Sequence, residues 1–409
     1  MWGREGWRGR RGGRAAGMLR EEGSGQQATF VELFFDLVMV FALTRLVEQA
    51  VPGFSSDSIT ERWASIGRTL LLFAPLLWLW TMTAYITSRF EPRRAGTQLV
   101  VLGSALGLLI MGTAIPQAFG PAGLSFALPF VAVQVTRVAV IALGLGSHTL
   151  RRLYSRILVW FCIAAAGWIA GALTEDGTRV ALWTAAVVLD LGAARIGWPV
   201  PGLGHGRSTV WQAGGRHLAD RYPQFLLIAL GESILAVGIV YTSGQRTRHE
   251  TLGLLVAYAT TVLLWRIYFF RAGALLGEAL DKCRDPASWG RHVGFSHALM
   301  VLGIVATAIG FDLVQHQHTH HTYPPWLAMI TGGPVIFLTG RSRLEYLVFT
   351  RVSRRRIIGI TLLLIPTPLL SHTSPLTAAS LAALVLLLVA ALDKRHARQR
   401  PPEHPNPAG

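Results

Sequence analysis

A chain of 409 residues that is 51% hydrophobic and 15% charged falls outside the class of ordinary soluble domains, which carry about 25% charged residues. The formal net charge of +16 invites a nucleic-acid reading. Its placement in short loops between apolar runs excludes that reading and marks a membrane topology signal, whose counter-ion is the anionic lipid head group. Cys162 and Cys283 leave no disulfide framework to read.

The chain opens with an Arg-rich stretch, residues 1–29, expected to be a disordered basic tail. Met18 is an alternative start, and no secretory signal with a cleavage site precedes the first apolar run. Six runs follow at 30–50, 64–88, 97–115, 122–146, 155–173 and 179–197. Each holds about 20 residues and is long enough to cross roughly 30 Å of hydrocarbon as a helix. The first carries Glu32 and Asp36, placed on one helix face by their spacing, and then Arg45 and Glu48. Arg137 lies in the fourth run, and Asp190 and Arg195 lie in the sixth. Residues 198–221 read as a cytoplasmic linker. Its Gly202-Leu203-Gly204-His205-Gly206 stretch lacks the lysine of a phosphate-binding loop. His217, Asp220 and Arg221 close the linker, either as a gate or as a capped, snorkelling helix start.

Six further runs occupy 222–243, 251–271, 294–314, 324–340, 355–371 and 375–392. Glu232 sits in the middle of the seventh run, within Gly231-Glu232-Ser233. There glycine would let another helix approach and the serine hydroxyl would orient the carboxylate. Arg266 lies in the eighth run, and His297 and Asp312 lie near opposite ends of the ninth. Gly332-Gly333-Pro334 interrupts the tenth run, and Pro366 and Pro368 interrupt the eleventh. The stretch Gln315 to His321 is rich in imidazole but lacks acid or thiol ligands, so it reads as a solvated loop and no metal site is predicted. Residues 393–409 read as a disordered tail.

The expected fold is therefore an all-α polytopic membrane protein of about twelve transmembrane helices. Both termini are placed in the cytoplasm, because the great majority of arginines and lysines then fall on the inner side of an inner membrane. Short echoes connect the second run with the eighth and the third with the ninth, as two six-helix halves, 30–197 and 222–392, would produce.

Ionisable groups inside a bilayer cost several kcal/mol and face one another or a wet cavity. Counting from the span ends puts Glu32, Asp36, Arg137, Asp190, Arg195, Arg266 and His297 in the inner half, with Glu232 near the midplane. Two readings follow. One is a polar cavity open to the cytoplasm, in which Glu32, Asp36, Asp190 and Glu232 carry the chemistry and Arg137, His217, Arg266 and His297 bind substrate. The other is a set of buried acid–arginine pairs that fix helix packing.

These residues also carry a resemblance. Val31-Glu32-Leu33-Phe34-Phe35-Asp36-Leu37-Val38 with Val40-Phe41-Ala42 resembles the signature of the bacterial low temperature requirement A (LtrA) family. The likeness continues through Trp80 to Arg94, Leu189-Asp190-Leu191, and His217 with Ile228-Ala229-Leu230-Gly231-Glu232-Ser233. It reappears at Leu264-Trp265 with Tyr268-Phe269, at His297 to Gly310, and at Gly333-Pro334 with Gly340. Arg266 stands where an uncharged residue is expected, and Ala298 stands where an aromatic is expected. The resemblance implies a multi-pass membrane fold and brings no settled reaction, substrate or cofactor.

Three functions fit. A secondary, proton-coupled transporter of a small solute accounts for the midplane acid, the halves and the missing ATP-binding motif. A membrane-embedded enzyme could use the carboxylates on a lipid-like or isoprenoid diphosphate substrate, by acid catalysis or by holding its metal ion. A non-catalytic membrane scaffold needs none of these roles.

Overall fold

The computed structural model describes residues 13–20, 28–204, 215–270, 273, 275–283, 286–317, 319–398 and 404–407. Among them the chain is helical nearly throughout, and the only extended pairings are the isolated bridges Leu19–Phe90 and Val200–Gly204. The helices are α1 (Phe30–Phe54), α2 (Ile59–Arg89), α3 (Ala95–Ala114), α4 (Gly123–Gly144), α5 (Leu150–Ala172) and α6 (Asp176–Ile196). They continue as α7 (Gly215–Ser243), α8 (Arg248–Phe269), α9 (Leu276–Lys282), α10 (Pro286–His316) and α11 (Pro324–Ile330). The last are α12 (Gly332–Phe349), α13 (Arg354–Leu364), α14 (Thr367–Leu370) and α15 (Pro375–Arg398).

Among the described residues eight helices are long and apolar enough to cross a membrane: α2, α3, α4, α5, α7, α8, α10 and α15. α1 is long enough but carries Glu32, Asp36, Arg45 and Glu48. The two proline- or glycine-interrupted runs are each broken in two. The expected span 324–340 becomes α11 and α12, parted at Thr331, and α12 continues past Gly340 to Phe349. The expected span 355–371 becomes α13 and the one-turn α14, because Pro366 lacks the N–H that would continue the helix. Elsewhere the ends follow local chemistry. Thr247 and Glu250 form a reciprocal capping box at the start of α8, and Gly197 ends α6 at φ 80°, where a side chain would be strained.

The chain divides into two units, residues 1–39 with 74–214 and residues 40–73 with 215–409. In the first, α3 to α6 pack in succession around an aromatic core. Trp168 and Trp183 lie 5.6 Å apart, and Phe126 and Phe130 close on Trp168. Residues 13–20, expected to belong to a disordered tail, are pinned in this unit. Ala15 N–H donates to Gly144 O at 2.7 Å, and Glu91 N–H donates to Met18 O at 2.8 Å. Residues 1–12 and 21–27 of that tail lie outside the described residues, as do 205–214 of the linker, His318, and 399–403 and 408–409 of the C-terminal tail.

In the second unit, α10 is the central helix, and α7 and α12 pack against it. The approach of α12 to α10 depends on glycine. A Cβ on Gly340 would sit 2.7 Å from Ser296 O, and one on Gly333 would strike Thr307. Arg62 lies 3.6 Å over the Tyr323 ring, and Trp326 donates to Phe54 O at 2.9 Å, closing the opposite end of this unit from α12's final turns.

Candidate functional site

In the first unit, α1 is preceded by Thr29, whose N–H and hydroxyl both donate to Glu32 Oε2 at 2.9 Å. Glu32 is thus tied to the first turn of its own helix, where a carboxylate also suits the helix dipole. One turn on, Asp36 is 2% exposed and accepts from the indole N–H of Trp80 at 3.0 Å. The neighbouring turn of α2 holds Arg137 of α4, whose Nη1 donates to Thr83 Oγ1 at 3.1 Å and to Leu79 O at 3.5 Å. Arg137 is 3% exposed, and among the described residues its Nε and Nη2 have no hydrogen-bond acceptor. Its guanidinium lies within electrostatic reach of Asp190 of α6. Asp190 Oδ2 accepts from Trp168 at 3.3 Å, while its Oδ1 has no donor among the described residues. Three of the expected site residues, Asp36, Arg137 and Asp190, therefore belong to one unit, each held by a tryptophan or by α2. Beside them a groove of about 670 Å³ runs between α3 and α4, with apolar walls from Leu99 and Val133 and with Arg137 in its lining.

In the second unit, Glu232 of α7 is fully buried, and neither carboxylate oxygen has a hydrogen-bond donor among the described residues. The field that reaches it is that of Glu48, which is itself paired with Arg45. The flanking residues do not behave as the sequence led us to expect. A Cβ on Gly231 would meet nothing within 4 Å among the described residues, so the glycine does not serve a close helix contact there. Ser233 Oγ donates to Leu230 O at 2.8 Å and shares a 3.2 Å bond with Thr261 of α8, so the hydroxyl joins α7 to α8 and does not orient the carboxylate.

His297 of α10 lies in an aromatic box. Its ring stacks on Tyr222 at 4.7 Å; its Nδ1 is 2.9 Å from Val293 O and its Nε2 is 2.8 Å from the Tyr268 hydroxyl. The carbonyl accepts only, so Nδ1 carries the proton and Nε2 accepts from the tyrosine. His217 is buried at the start of α7 with Asp220 in its field. Arg266 is half-buried and lies 4.5 Å over the Phe270 ring, where it acts as the cationic partner of an aromatic at the end of α8. Among the described residues no group of three or more His, Cys, Asp or Glu side chains is arranged to hold a metal.

The model of the family described as bacterial low temperature requirement A protein (LtrA) matches residues 27–391, from the start of the first acidic helix almost to the end of α15. The chain belongs to the bacterial low temperature requirement A family. It is also similar to an uncharacterized protein of Rhizobium meliloti (strain 1021), 32% identical over 377 residues, which cover 91% of this chain and 90% of the relative. No solved structure matches it.

Several buried polar residues of this LtrA-family protein escape a reading of the sequence. Arg179, 5% exposed, donates to five backbone carbonyls: Gly171 (3.2 Å), Ala172 (3.5 Å), Thr174 (2.9 Å), Ala118 (3.0 Å) and Gly120 (2.7 Å). Arg341 is buried where a loop was expected to begin, and Arg356 is buried in the first turn of α13. The signal for Arg341 is its spacing from Glu345, one helical turn on, which a hydropathy profile ignores.

Proposed function

We propose that this membrane protein is a secondary transporter that couples movement of a small solute to protons, with Glu232 as the coupling carboxyl. The observation that carries the reading is the state of Glu232: wholly buried in a membrane-length helix, with no donor to either oxygen among the described residues. A bare carboxylate there costs several kcal/mol. The cost is removed by a proton, a cation or a donor on the transported solute, and exchange among these is coupling.

The accompanying topology is an inner-membrane protein of twelve crossings with both termini in the cytoplasm. The four crossings beyond the eight apolar helices would be α1, α6 and the α11–α12 and α13–α14 pairs. In this reading anionic lipids meet the basic face, and the repeated six-helix halves of the sequence supply the alternating parts.

A second reading draws on the groove between α3 and α4. Apolar walls with one buried cation in the lining suit a lipid-like or isoprenoid substrate, and Asp190 near Arg137 would supply the acid. Proteoliposomes loaded with a pH-sensitive dye and challenged with a panel of small solutes separate the two. The wild type should take up protons with one class of solute, and Glu232→Gln should not, while keeping its melting temperature. Turnover of an isoprenoid diphosphate in detergent, without a gradient and indifferent to Glu232→Gln, would replace transport by catalysis.

A further inference from the structure

A cavity of about 460 Å³ opens among the last residue of α12, the loop after it, the first turn of α13, and Asp393 and His396 of α15, all within the second unit. We infer that this cavity is a binding site for a phosphate group.

Charge is the first reason. Five arginines line the cavity, Arg341, Arg351, Arg354, Arg355 and Arg356, against two carboxylates, Glu345 and Asp393. Both carboxylates are already engaged. Arg356 Nη2 lies 2.8 Å from Asp393 Oδ2, Arg356 Nε lies 3.4 Å from Glu345 Oε2, and Arg355 Nε lies 3.4 Å from Asp393 Oδ1. Even without Arg351, four arginines face these two carboxylates, so a cationic surplus remains.

Donor geometry is the second reason. Arg341 is 1% exposed and anchored by two bonds to the end of α8, Nε to Ile267 O at 3.1 Å and Nη2 to Phe270 O at 2.7 Å. Its remaining nitrogen, Nη1, is buried and has no acceptor among the described residues. Arg356, 2% exposed, presents its Nη1 in the same condition. Glu345 Oε2 and Asp393 Oδ2 are in ionic contact with Arg356 but accept no hydrogen bond among the described residues, so the Nη1 edges of Arg341 and Arg356 are the donors that an incoming anion would engage.

The third reason is the start of α13, an 11-residue helix that begins in the cavity wall at Ser353 with no side-chain cap. Its first N–H groups and its dipole add to the field for an anion. A tetrahedral oxyanion with three or four acceptor oxygens can take Arg341, Arg356, the exposed Arg354 and the helix end together, whereas a carboxylate has too few oxygens. The volume suits a phosphate or diphosphate head and leaves no room for an acyl chain. The same chemistry could arrive on a lipid head group or on a free phosphate compound. Because the walls come from α8, α12, α13 and α15, an occupant would tie four helix ends together.

The test uses the full chain purified in detergent. Inorganic pyrophosphate is titrated at constant ionic strength while melting temperature and heat of binding are followed. In parallel, native mass spectrometry follows retention of phosphatidic acid against phosphatidylcholine. Saturable pyrophosphate binding without selective lipid retention assigns a free phosphate compound. Selective retention of phosphatidic acid assigns a lipid head. In either case Arg354→Gln, at an exposed position that spares the fold, should weaken binding about tenfold, and Arg341→Lys should do likewise by losing the fork. Arg93→Gln, an exposed arginine of the other unit, should change nothing. The inference is overturned if neither probe binds saturably, if matched sodium chloride reproduces the effect, or if both cavity variants bind as the wild type does.

Discussion

Trp80 donates its indole N–H to Asp36 across 3.0 Å, and the acid is 2% exposed, so a tryptophan of α2 holds a carboxylate of α1 away from solvent. Phenylalanine at position 80 would keep most of the packing and remove the donor. Trp80→Phe should therefore cost about 1–3 kcal/mol, the range for losing one hydrogen bond to a buried charged group. Asp36→Asn keeps an oxygen where Oδ1 now accepts and should melt close to wild type while losing proton uptake. Thermal unfolding of both variants in one detergent checks the order; equal melting temperatures would show that the bond adds nothing.

Arg137 and Asp190 lead to a sharper expectation. Arg137 is 3% exposed, with two nitrogens lacking acceptors among the described residues, and Asp190 supplies the opposite charge in its field. Removing the acid alone would leave a buried cation uncompensated, a loss of about 3–5 kcal/mol. Replacing both by neutral residues of similar size removes the need for compensation. Asp190→Asn should thus unfold well below wild type, and the double variant with Arg137→Met should recover most of the difference. A double-mutant cycle of melting temperatures reads this coupling, and simple additivity would rule it out.

The membrane character, the family and the acids worth attention were legible because each breaks an otherwise apolar run: Asp36, Asp190 and Glu232 are all buried. Their partners were not legible. Hydropathy reports where a helix crosses, but not which face of it meets Trp80 or Trp168, so the tryptophan donors to Asp36 and Asp190 appear only in three dimensions. Gly231 was misread for a related reason: glycine serves a close helix contact at Gly333 and open space at Gly231, and the letter is the same. Arg341 was lost because a charge at the end of an apolar run resembles a loop, although α12 runs on to Phe349 and buries it.

The proposed topology places the two ends of α2 on opposite sides, with Asp57 outside and Arg93 in the cytoplasm. Both residues are exposed, so single cysteines there would be reachable without disturbing the core. In a background lacking Cys162 and Cys283, a membrane-impermeant maleimide should label Asp57→Cys in intact spheroplasts and reach Arg93→Cys only after lysis. The reverse pattern would invert the whole arrangement, including the side on which the arginine-lined cavity opens.

Arg179 yields the clearest stability prediction, because its role is separable from the acids. In the sequence it is the first residue of the sixth apolar run, where a solvated charge at a span end would contribute almost nothing. Instead it is 5% exposed and stacks against Trp183 at 5.8 Å. Its guanidinium spans carbonyls from the end of α5 (Gly171), the turn after it (Thr174) and the connection between α3 and α4 (Ala118, Gly120). The last carbonyls of α5 carry that helix's partial negative charge, which a cation at this position offsets. Only a planar fork reaches several acceptors at once; a lysine ammonium would satisfy one or two and leave the rest buried. Arg179→Met should therefore cost about 3 kcal/mol and Arg179→Lys about half of that, at roughly 1 kcal/mol per lost bond with partial relaxation. Melting temperatures should rank wild type, Arg179→Lys, Arg179→Met. Proton uptake per folded molecule should stay constant across the three, since Arg179 touches none of the acids. A methionine variant as stable as wild type would mean that the carbonyls find other donors and that the arginine holds nothing together.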